Sequence, residues 1–170
     1  MKIHAARLAI ALFTVPLIAA IGSAARGAEA PAFPDIKTFA SSAELAELMA
    51  KARDQRKPGQ TVVVLPVLSL APYKVNIEVR TGPAAPFSHD KEAELFYCLA
   101  GGGTFVSGGR ITAPKAADAN VTGTGIEGGT ARAVAQGDIW LVPENTPHQS
   151  FPAGNGLLVL LSMHIPRPVQ

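Results

Sequence analysis

Cysteine is all but absent. Cys98 is the only one in 170 residues, so no intramolecular disulfide can form and packing must hold the fold. Aromatic residues reach only 6% and charged residues only 16%, while hydrophobic residues make up 48%. That balance supplies one core and argues against a disordered or highly charged chain. Long apolar runs are lacking as well, and those present are short for a membrane span. The longest, Leu8 to Ile21, has about fourteen apolar or small residues and is interrupted by Pro16. Histidine is scarce too, with four in the chain.

The short apolar run is itself informative. Lys2 and Arg7 precede it, and small residues from Gly22 to Ala30 follow. This is the three-part layout of a cleavable export signal, with cleavage after Ala24, Gly27 or Ala30; the alternative is the same segment retained as an N-terminal anchor. The expected location is the periplasm or the exterior. Losing residues 1–30 removes Lys2, Arg7 and Arg26 of the 15 basic residues and Glu29 of the 13 acidic ones. What is left has equal numbers of each. A domain with no net charge has no electrostatic case for nucleic acid or, after signal cleavage, for an anionic membrane.

Residues 31–40 read as a loose arm. Ser41 and Glu44 form a capping box, and Leu45, Leu48, Met49 and Ala52 recur at helical spacing. Lys51, Arg53, Arg56 and Lys57 crowd the end of this helix, and Pro58-Gly59 stops it. From residue 60 onward the chain reads as strands. Thr61–Leu70 is apolar and β-branched, broken at Pro66. Val75, Ile77 and Val79 alternate with Asn76, Glu78 and Arg80, as in a half-buried strand. Glu94–Leu99 is a strand closed by Gly101-Gly102-Gly103. Thr104–Val106, Ala131–Ala135, Asp138–Val142 and Leu157–Met163 complete the set. Sixteen glycines and 14 prolines punctuate these runs, which suits a sandwich or barrel. Residues 112–130 read as a long hairpin excursion. Gly123 to Gly128 spell G-x-G-x-x-G, but a loop precedes and a strand follows, so no helix N-terminus is there to meet a pyrophosphate. Asn120-Val121-Thr122 is formally a glycosylation sequon.

Two segments carry the candidate chemistry. One runs Ser88-His89-Asp90-Lys91-Glu92-Ala93-Glu94-Leu95-Phe96-Tyr97-Cys98-Leu99-Ala100-Gly101, the other from Gly137-Asp138-Ile139-Trp140 to Pro147-His148. At these residues, within about residues 60–165, the chain resembles the cupin superfamily. The first cupin motif has the form G-x5-H-x-H-x(3,4)-E-x6-G. His89 takes its second histidine, Glu94 its glutamate and Gly101 its closing glycine, whereas Gly82 stands one residue too close to position 87. The second motif is G-x5-P-x-G-x2-H-x3-N. Gly137, Pro143 and His148 are in register, Asn145 replaces the glycine and Pro152 the asparagine. The resemblance implies an all-β cupin jelly-roll β-barrel over 60–170, preceded by the signal (1–30) and the arm and helix (31–59).

Phe87 stands where the family places its first metal-binding histidine. The implied ligands are therefore His89, Glu94 and His148, a two-histidine, one-carboxylate set that leaves positions open. Such donors suit Fe, Mn, Ni, Zn or Cu without choosing among them, and Glu94 is the candidate catalytic base. Strand parity turns Glu94, Phe96 and Cys98 to one face and Leu95, Tyr97 and Leu99 to the other; Phe87 and His89 likewise share a face. Phe87, Phe96 and Cys98 are thus expected to line the pocket. His164, at the end of the last strand, reads as a surface or edge histidine and becomes a fourth ligand only if it shares the inward face. Asp90, Lys91 and Glu92 read as a charged turn at the barrel mouth.

Three functions fit these residues. The chain is a metal-dependent enzyme on a small molecule, of dioxygenase or isomerase type; or a small-metabolite-binding cupin whose metal site has degenerated and holds no metal; or a storage or structural cupin. The apolar arm and the sheet edges suggest a homodimer.

Overall fold

The computed structural model describes residues 36–154 and 156–167. The expected signal segment and residues 31–35 of the arm lie outside them. Helix α1 (Ser42–Asp54) starts where the capping box predicts, the Ser41 hydroxyl accepting from the Glu44 backbone N–H at 3.2 Å. The strands are β1 (Val62–Leu70), β2 (Tyr73–Arg80), β3 (Phe87–His89), β4 (Glu92–Ser107), β5 (Arg110–Thr112), β6 (Lys115–Ala117), β7 (Asn120–Thr122), β8 (Gly125–Glu127), β9 (Thr130–Ala135), β10 (Ile139–Val142), β11 (His148–Pro152) and β12 (Leu158–Pro166).

Every strand-to-strand ladder is antiparallel. The main sheet runs β1-β2-β12-β4-β11-β3-β7-β6, with β9 and β10 also paired to β4. Strand β4 organises the barrel. Its first half pairs with β12 and β10, and its second half with β11 and β9. The glycine run expected to end a strand at residue 101 therefore lies inside one. Gly101 has φ 75°, and a Cβ there would stand 1.7 Å from the Leu157 carbonyl oxygen; one on Gly103 would stand 2.2 Å from that of Phe151. The glycines let the strand bend and let crossing backbone approach, which a side chain would block. The 112–130 excursion resolves into a β6–β7 hairpin that extends the sheet, and a separate β5–β8 ladder.

Two apolar clusters form. One lies between the helix and the outer face of the sheet. It gathers Ala52, Val63, Val67, Val75, Ile77, Val79 and Val159, with Leu45, Leu48 and Met49 packed against them. The other fills the barrel with Phe96, Cys98, Phe105, Val134, Val142, Leu158 and Leu160, against Trp140. A fully buried side chain such as Phe96 or Leu160 contributes about 1.5–3 kcal/mol.

Strand β2 shows why the site lies where it does. Its odd residues face the helix, and its even residues turn into the barrel. The alternation predicts a half-buried strand, but Glu78 and Arg80 on its polar face are buried as well, at 6% and 8% exposed. Each offsets the other's charge: the Arg80 guanidinium donates to Glu78 Oε2, through Nε at 3.0 Å, and also to the Ser150 hydroxyl. One end of the barrel interior is therefore polar, and the other is packed.

Candidate metal centre

Four side chains from four strands converge at the polar end. Glu94 sits near the start of β4, facing inward by the parity that its neighbours share. His89 ends β3, and His148 opens β11, its Cα directly across from that of Phe87. His164 lies on β12 with its Cα opposite that of Glu94. Leu158, Leu160 and Ser162, on the same face of β12, are fully buried, so this face points into the barrel. His164 is thus inward rather than at the surface, and its side chain is 18% exposed.

The imidazoles share one pattern. His89 Nδ1 lies 2.6 Å from Asn120 Oδ1, His148 Nδ1 lies 3.1 Å from the Thr146 carbonyl oxygen, and His164 Nδ1 lies 2.7 Å from Glu92 Oε2. Each acceptor claims the Nδ1 proton, which leaves Nε2 as the free atom. All three Nε2 atoms then aim at one carboxylate. His89 and His148 reach Glu94 Oε2 at 3.1 and 3.2 Å, and His164 reaches Glu94 Oε1 at 3.4 Å. Among the described residues, the ligand atoms of His89, Glu94 and His164 all lie within 4.8 Å of one another.

Neutral imidazoles of this tautomer would point lone pairs at carboxylate lone pairs, which repel. A positive charge must sit between them, either protons on Nε2 or a cation. Three imidazolium ions around one carboxylate would repel each other. One divalent ion among neutral imidazoles avoids that cost. Donor atoms about 2.1 Å from a common ion stand roughly 3.0–3.4 Å apart, depending on geometry. The Nε2-to-oxygen spacings fall in or near that range, so the residues fit a transition metal.

The charges respond to the cluster. Burial by itself would raise the Glu94 pKa. The hydrogen bonds from His148 and His89 and the charges of His148 and His164 outweigh it, and hold the carboxyl well below the usual range. Burial by itself would lower that of His89. Its bonds to Glu94 and Asn120, and the charges of Glu94 and Glu92, raise it instead.

A cavity of about 530 Å³ opens beside the centre, walled by Val62, Val64, Asn76, Phe87 and the Glu78–Arg80 pair, with His89, Glu94, His148 and His164 at one end. Of the expected pocket residues, Phe87 lines it. Phe96 and Cys98 do face inward, but both are 0% exposed and belong to the packed core behind the site. Bulky apolar neighbours fill that layer, so the cavity stops short of it. A second space of about 390 Å³ touches the far side of His89 and His164, where Asn120 and Glu92 lie. Asn145 has φ 58°, a left-handed conformation that asparagine tolerates better than most residues, which explains how it replaces the motif's glycine. Its backbone N–H ties the β11 approach to the His89 carbonyl at 2.8 Å.

Sequence reasoning missed Asn120 and Glu92 as partners of the site. Their signals were a chance-level sequon and a charged turn. Asn120 is partly buried with its side chain on His89, a poor position for glycosylation.

No family model and no curated protein matches the chain. Solved structures do. The Bacillus halodurans protein BH2720 superposes with a TM-score of 0.53 at 14% identity, covering 79% of this chain and 85% of that one. A Klebsiella pneumoniae protein with a double-stranded β-helix domain gives 0.50 at 14% identity, covering 68% and 85%. An iron(II) form of HppE gives 0.49 at 18% identity, covering 62% of this chain and 52% of that one. The first two of these likenesses show the fold: the chain is an all-β jelly roll of the double-stranded β-helix type, the fold that the cupin resemblance implies.

Proposed function

We propose that this protein is an exported cupin that holds one divalent transition metal through His89, Glu94 and His148 and acts there on a small organic molecule, in chemistry of dioxygenase or isomerase type. One observation carries the reading. Three imidazoles have Nδ1 committed to acceptors and Nε2 aimed at a carboxylate that is 3% exposed. A buried carboxylate costs several kcal/mol unless matched by positive charge.

The metal would supply Lewis acidity or oxygen activation. The chain's own residues do the rest. Asn120, Glu92 and the Thr146 carbonyl orient the rings. Phe87 and the valines of β1 exclude water from one side of the cavity, while Asn76, Glu78 and Arg80 offer hydrogen bonds at the other. Glu94 contributes the negative charge and is the candidate base. Export is supported by the Lys2/Arg7 start and the short apolar run that follows.

The test is metal content. The purified domain should bind close to one equivalent of added Mn(II), Fe(II) or Co(II), and Glu94→Gln and His148→Ala should each abolish it. A wild-type protein that takes up none of these ions under reconstitution would refute the metal reading and leave a metabolite-binding or a storage barrel, which melting-temperature shifts against a metabolite panel would then divide.

A further inference from the structure

The imidazole that the first motif lacks at Phe87 has a substitute on another strand. Position 87 lies on β3, opposite His148. His164 lies on β12, opposite Glu94 and on the other side of it. Its Nε2 is 3.4 Å from Glu94 Oε1, the oxygen that His89 and His148 leave free. Its ring meets that of His89 edge-on, with centroids 5.1 Å apart. Its Nδ1 is fixed by Glu92, two residues before Glu94 on the same inward face of β4. A histidine held by a carboxylate on one nitrogen and open on the other is prepared as a metal ligand, because the carboxylate sets the tautomer and raises the basicity of the free nitrogen. The ligand atoms of His164, His89 and Glu94 all lie within 4.8 Å of one another.

We propose that His164 is a protein ligand of the metal, so that the centre is three histidines and one glutamate, with one histidine moved from β3 to β12 and Glu92 as its positioning residue. The inference rests on the metal reading above. It has a chemical consequence. Four protein donors leave a six-coordinate ion two free positions, enough for one bidentate or two monodentate ligands. With His164 on β12, the β3 side carries the Phe87 ring in place of a ligand. Phe87 lines the cavity at 37% exposure, so an apolar surface replaces a donor where a bound organic molecule would lie.

The probe is Co(II), added to the metal-free full-length mature domain. Affinity is measured by calorimetric titration. Paramagnetic proton NMR counts the ligands, because each coordinated imidazole contributes one far-shifted exchangeable Nδ1–H signal. Wild type should show three such signals. His164→Gln should show two and weaken binding at least about tenfold. Glu92→Ala should keep the third signal but let it exchange faster, and should weaken binding by about tenfold. The decisive variant is Phe87→His combined with His164→Gln, which returns an imidazole to the motif position; it should restore three signals and affinity to within a few-fold of wild type. Thermal melts of the metal-free variants confirm folding, and the wild-type signal count reports even if His164→Gln is unstable. If wild type binds Co(II) with only two imidazole signals, or His164→Gln binds as tightly as wild type, the relocated ligand is refuted and the metal reading stands. If wild type binds no Co(II), both fall.

Discussion

Replacing Glu94 by Gln keeps the shape of the side chain and removes its charge. Glu94 is the carboxylate that all three imidazoles contact, and its side chain is 4% exposed. In the metal-free protein it stabilises protonated His89, whose side chain is 13% exposed. Breaking a buried charge pair costs about 3–5 kcal/mol. The low end applies, because the imidazoles can shed protons once the carboxylate is gone. About 3 kcal/mol lowers the melting temperature of a domain this size by about 10 °C. The pH dependence sharpens the expectation. The depressed Glu94 pKa contributes stability that is present above the ordinary value of 4.5 and is lost as pH falls through the folded value. The raised His89 pKa contributes stability that is present below 6.5 and is lost as pH rises through its folded value. Both contributions are complete only between those limits. The variant's deficit should therefore be largest near pH 5.5 and shrink toward pH 8.5 in chelator. Calorimetric melts of wild type and Glu94→Gln across that range measure it. A deficit that grows steadily to pH 8.5, or none at pH 5.5, would refute the assigned charges.

Metal binding should run the other way: the proton on His89 must leave, so wild-type Co(II) affinity should rise as pH climbs past 6.5, read by titration at pH 5.5, 7 and 8. Asn120→Ala removes the acceptor at His89 Nδ1 and should weaken Co(II) binding by about tenfold with little change in the metal-free melt. Gly101→Ala puts a Cβ 1.7 Å from the Leu157 carbonyl oxygen and imposes φ 75° on alanine, so it should destabilise by more than about 3 kcal/mol or prevent soluble expression. Ile139 and Leu141 are 64% and 55% exposed on edge strand β10, beside Tyr97. If the expected dimer uses this face, Ile139→Lys with Leu141→Lys should convert it to monomer in analytical ultracentrifugation, and a wild-type monomer would end that expectation.

Local pattern carried a good deal. The capping box at Ser41 and Glu44, the two-residue alternation of β2 and the parity of Glu94, Phe96 and Cys98 depend on neighbours in the chain, and each is found where that pattern puts it. The spacing of His89, Glu94 and His148 within cupin-like motifs pointed to three residues that do meet. What the strand pattern could not carry was which strands pair. Gly101 to Gly103 look like a strand end until β12 and β11 are seen crossing there. His164 looks like an edge residue until β12 pairs with β4 and sets it opposite Glu94, 70 positions away in the chain. Asn120 looks like a sequon until the β6–β7 hairpin joins β3. Side-chain direction along one strand follows from the two-residue period and can be read from order alone. Contact between strands depends on register and on closure of the barrel, and only the folded chain decides those.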